Sequence, residues 1–140
     1  MSDSRAQDAL VWLEYAVGDL EAARAQPGRH ALPWHVANHA QQAAEKALKA
    51  ALVLGGTDPP KTHDLNALRK LTPPGWLAGR RKQDLTRLTS YAVDSRYPDD
   101  IGPVTPIQAA TAVRQAMAVV RDVREDFERN GVSAANLEPR

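Results

Sequence analysis

Apolar residues recur at three- and four-residue intervals along most of the chain, the period of a buried helix face. Leu10, Leu13, Val17 and Leu20 share one face of a helix predicted over residues 5–26, with Ser4 as its cap and Pro27-Gly28 as its stop. Pro33 suits the first turn of a second helix that runs to Leu54. Its seam is Val36, Ala40, Ala43, Ala47, Ala51 and Leu54, small enough for close helix approach, and Gly55-Gly56 ends it. A short helix is expected over 64–71, after the loop 57–62, and Pro73-Pro74-Gly75 breaks it. A further long helix is predicted over 77–96, with Leu77, Leu85, Leu88 and Ala92 inward. Pro98 closes it, because the residue before a proline is pushed out of the α region. The last helix, 106–130, should bury Ile107, Ala110, Val113, Met117, Val120 and Phe127 and end at Gly131. The pattern predicts an all-α fold: an antiparallel up-and-down four-helix bundle over 5–130 with one additional short helix. Residues 131–140 are expected to form a frayed, disordered tail.

Composition narrows the function classes. The 140 residues suit one domain, and 24 alanines against 5% aromatics favour helices over a β-sandwich. A formal charge of +1 and the lack of a helix-turn-helix signal argue against DNA readout. With no cysteine, disulfides and thiolate metal sites are excluded. The first residues lack a basic-then-apolar leader pattern, and the apolar run Ala50–Leu54 is too short to span a bilayer. No membrane role is expected, and the expected location is cytoplasmic. Trp12, Trp34 and Trp76 read as packing residues.

The second helix holds the most informative polar pattern. His35, His39, Gln42, Lys46 and Lys49 are spaced 4, 3, 4 and 3, so they form one stripe, with Glu45 beside it. One reading is a solvated face with a Glu45–Lys49 pair. The other is a ligand face, whose ammonium, amide and imidazole donors suit a phosphate and a base edge. His35 and His39 also have the spacing of paired metal ligands, which with His63 gives a metal-dependent hydrolase as a weaker alternative. His63 adds an imidazole that titrates near neutral pH, and Asp64 suits the helix start that follows. At the end of the 77–96 helix, Arg96 reads either as a C-terminal charge or as a phosphate fork, and Tyr97 as a stacking surface.

In order, these pieces resemble the HEPN domain family. The string Ala40-Gln41-Gln42-Ala43-Ala44-Glu45-Lys46-Ala47-Leu48-Lys49-Ala50 is similar to its second-helix signature. His63-Asp64-Leu65, Arg96-Tyr97-Pro98 and the opening Trp12–Ala23 match further features. The resemblance implies a helical bundle, commonly dimeric, often paired with a minimal nucleotidyltransferase in toxin–antitoxin modules. Active relatives cleave RNA without metal, using an arginine and a histidine separated by four to six intervening residues. Here Arg96 fits the arginine, but Ile101, Gly102 and Pro103 stand where the histidine should fall, and no histidine follows His63. Arg24…His30 and Arg29…His35 have the spacing but lie beside the first helix. The expected function is therefore an interaction and nucleotide-binding subunit, partner of a nucleotidyltransferase, with His39, Gln42, Lys46, Lys49, His63, Arg96 and Tyr97 as ligand contacts. No cofactor or metal is assigned. The alternative is an RNase toxin that uses Arg96 and Tyr97, with His63 or His39 as the imidazole, in a divergent site.

Overall fold

The computed structural model describes residues 3–25, 32–92 and 103–137. Among them every regular element is helical: α1 (Asp3–Ala25), α2 (Pro33–Leu54), α3 (Leu65–Lys70), α4 (Leu77–Arg80), α5 (Thr86–Thr89) and α6 (Pro106–Arg129), with a 3-10 turn at Ala135–Leu137. Pro33 sits in the first turn of α2 as expected. Asp64 caps α3 by accepting from the Ala67 N–H at 3.2 Å. Thr105 and Gln108 form a reciprocal capping box on α6, which satisfies two N–H groups left over at the helix start. Ser4 is not the cap of α1, because the helix already begins at Asp3. No helix among the described residues is long and apolar enough to cross a membrane.

The core is built on α2. Ala40, Ala43, Ala44, Ala47, Ala50 and Ala51 are fully buried, and side chains of this size let α1 and α6 approach closely. Pairing runs in opposite senses along α1 and α2: Trp12 meets Lys49, Tyr15 meets Lys46, and Asp19 meets His39. The two helices are therefore antiparallel. The face of α6 is rotated from the expected one. Ala109, Ala112, Ala116, Val119 and Val123 are buried with Val120 and Phe127, whereas Ile107 is 78% exposed, Ala110 is exposed, and Val113 and Met117 lie half-buried. Small residues face the alanine seam of α2, and the larger ones are displaced to the flank.

The long helix expected over 77–96 is absent across its described part. Leu77–Arg80 and Thr86–Thr89 are separate single turns, and Arg81–Leu85 is not helical. Three tertiary anchors impose the break. The buried carboxylate of Asp126 on α6 accepts from the N–H groups of Leu77 and Ala78 at 2.8 and 2.9 Å, capping α4 from a distant helix. Arg81 forks onto Asp122 at 2.7 and 3.0 Å. Asn66 takes the Leu85 N–H at 3.1 Å, a donor that a continuous helix would direct to residue 81. Among the described residues there are three long helices and three short ones, where four long and one short are expected. After α6, Ala134 is buried with its N–H on Glu128 at 2.8 Å, and Val132 and Leu137 pack against the core.

Candidate functional site

On α2 the polar stripe is organised around a carboxylate. Glu45 is almost fully buried, and three donors converge on it: Gln41 Nε2 at 3.0 Å, Lys49 Nζ at 3.0 Å and His63 Nδ1 at 2.7 Å. Burial pushes this carboxyl upward, but the bonds from Gln41, His63 and Lys49 together hold it below its ordinary range. An ionised carboxylate only accepts hydrogen bonds, so the His63 Nδ1 carries the proton in this pair. Gln42 joins the network by donating to Gln41 Oε1 at 2.7 Å. One hydrogen-bonded run therefore leads from Gln42 through Gln41 and Glu45 to His63.

The other predicted contacts are placed differently. Lys46 binds Asp19 at 2.6 Å and sits 5.9 Å from the Tyr15 ring centroid. His39 is half-exposed, 3.9 Å from the same aspartate. Lys49 is only 8% exposed; its ammonium is held between Glu45 and the Trp12 ring, so it sets the charge of the site from beneath and does not present a donor at the surface. His35 is exposed, its ring edge-on to Trp34. Arg96 and Tyr97 lie outside the described residues. The last described residues before them sit against α2, where Asn38 Nδ2 donates to the Tyr91 carbonyl at 2.8 Å. Beside this contact a cleft of about 460 Å³ is lined by Thr86, Arg87, Ser90, Tyr91 and Gln108. The buried Tyr91 hydroxyl has no hydrogen-bond partner among the described residues.

A family model described as HEPN domain matches residues 9–126. The chain belongs to the HEPN domain family. Comparison with curated proteins and with solved structures returns no match. In this HEPN chain the metal alternative is not assembled. Among the described residues no group of three or more His, Asp or Glu is placed to hold an ion, and His63 is engaged by Glu45 away from a His35–His39 pair. Reading the sequence for exposed donors passes over Gln41 and names Glu45 only as the partner of Lys49, a pair the structure contains but buries. Their place on the same turn as the stripe was visible, but their burial depends on where α3 and its preceding loop dock. Tyr91 and Arg87 were passed over because the stretch was read as one helix, which gave no reason for a cleft.

Proposed function

We propose that this HEPN chain is a nucleotide-binding and interaction subunit that works as a homodimer with a minimal nucleotidyltransferase in a toxin–antitoxin-type pair. The run Gln42–Gln41–Glu45–His63 carries the reading. It holds an amide and an imidazole in fixed orientations on one helix face, as recognition of a base edge and a phosphate requires. Lys46, partly exposed, can exchange Asp19 for a phosphate oxygen, whereas buried Lys49 cannot. Arg87 lines the cleft beside the Asn38–Tyr91 contact, one turn before Gln42 on α2, and supplies a further cation there. Arg96 and Tyr97 are proposed to add a phosphate fork and a stacking surface. Calorimetric titration with the four ribonucleoside monophosphates and triphosphates tests this. Lys46→Ala with Arg96→Ala abolishes binding and costs at most about 1 kcal/mol of stability, since the Lys46–Asp19 pair is partly exposed. Unaltered affinity in that double variant contradicts the reading. Co-purification with a co-expressed nucleotidyltransferase tests the partner separately.

One observation favours a second reading, a metal-independent RNase. A carboxylate that holds an imidazole by Nδ1 fixes its tautomer, the arrangement by which a histidine becomes a general base or acid through Nε2. Cleavage of RNA in EDTA that is lost in both His63→Gln and Arg96→Ala supports it. Cleavage retained in either variant removes that residue from the mechanism.

A further inference from the structure

The outer face of α1 combines apolar exposure with an excess of carboxylates, among which Arg5 borders Asp8 and Asp58. Val11 is 49% exposed and Tyr15 61%, one helical turn apart. A cleft of about 520 Å³ opens there, with Val11, Trp12, Tyr15 and Val53 as its apolar lining and Asp8 and Asp58 as its acids. Tyr15 also borders a second cleft, of about 600 Å³, with Glu14, Gly18, Asp19, Glu21 and Lys46. Asp19 is neutralised by Lys46. Asp8, Glu14, Glu21 and Asp58 join no ion pair among the described residues. Gly18 is a separate signal. It lies inside α1, where glycine weakens a helix, and a Cβ built on it meets nothing within 4 Å. Asn136 and Leu137 of the chain's own C-terminal turn line the same cleft, yet nothing stands within 4 Å of that Cβ, which leaves room for a further segment to cross α1.

From this face we infer that α1 docks an amphipathic helix of a partner protein, one that presents a large apolar side chain flanked by Lys or Arg. Charge complementarity selects this occupant. Asp8, Glu14, Glu21 and Asp58 outnumber the cation beside them, Arg5, so the face repels nucleic acid and anionic lipid and attracts a cationic segment whose apolar side chain fills the Val11–Tyr15 cleft. A second copy related by a two-fold axis is disfavoured, because the same patch would meet itself and oppose acid to acid. The face borders the proposed nucleotide site at Lys46, but the Val11–Tyr15 cleft lies apart from the Gln42–His63 run and the inference does not depend on nucleotide binding.

Selection of a displayed random-peptide library on the intact protein tests it. The expected consensus has large apolar residues flanked by Lys or Arg. Synthesised winners should bind at least about tenfold more weakly to Asp8→Lys/Asp58→Lys and to Val11→Ser/Tyr15→Ser. Gly18→Ala should raise the melting temperature, whereas Gly18→Leu should weaken peptide binding without lowering it. Nucleotide titration of Asp8→Lys/Asp58→Lys, whose side chains do not touch Lys46, should be unchanged and separates this face from the α2 site. Acidic winners, winners indifferent to these substitutions, or no enrichment overturns the proposal. So does sedimentation in which the wild type self-associates and Val11→Ser/Tyr15→Ser dissociates it, because a second copy then covers the face.

Discussion

At Glu45 a carboxylate nearly removed from water is held by an ammonium, an amide and an imidazole. Its folded pKa lies below the ordinary value of 4.5, so the folded state binds its proton less well than the unfolded chain. The resulting stability is complete above about pH 4.5 and is lost as pH falls through the depressed folded value. Glu45→Gln should flatten that acid limb. At neutral pH it should cost about 3 kcal/mol, because Lys49 is left buried without its counter-charge. Urea unfolding at several pH values measures both. Gly79 makes a second prediction at this scale. A Cβ there would stand 2.2 Å from Thr72 Oγ1, which donates to the Arg69 carbonyl at 2.7 Å. Gly79→Ala is expected to destabilise by about 1–3 kcal/mol. Less than the sum of the single effects is expected when it is combined with Thr72→Ala, since the clash is then gone.

At the scale of elements, local signals foretold what local forces decide. Pro33 and Gly55-Gly56 bound α2, Asp64 starts α3, and Pro106 follows the Thr105 cap of α6. The stretch 77–92 was misread because distant side chains decide it. Asp126 caps α4 from α6, and Asn66 on α3 captures Leu85. The rotated face of α6 has a similar origin. Large apolar residues marked one face, but the alanine seam of α2 accepts the face bearing Ala109, Ala112 and Ala116. Asp126→Ala should therefore cost about 3 kcal/mol, for one buried and one partly buried N–H group lose their acceptor. Hydrogen exchange should show faster opening at Leu77 and Ala78 than in α2. On α1, Gly18→Ala should add about 0.5–1 kcal/mol in thermal unfolding, the helix-propensity difference with no steric penalty.

Across the whole molecule, two buried carboxylates bend the pH–stability curve in opposite senses. Burial pushes Asp126 above its ordinary 3.8, and the N–H groups of Ala78 and Leu77 only partly offset this. Stability from this group therefore declines as pH rises from about 3.8 through its raised folded value, the reverse of Glu45. The Gln42–His63 run is likewise a property of the assembled fold. The stripe was legible from spacing on α2, and His63 from its place at a helix start. Their connection through buried Gln41 and Glu45 depends on how the loop before α3 returns along α2.

The most direct measurement of that connection is a nucleotide titration of the isotope-labelled protein followed at its four imidazoles by NMR. The account predicts saturable shifts at His63 and His39, and loss of the His63 response in Glu45→Gln. Shifts confined to other histidines, or a His63 response indifferent to Glu45, would contradict it.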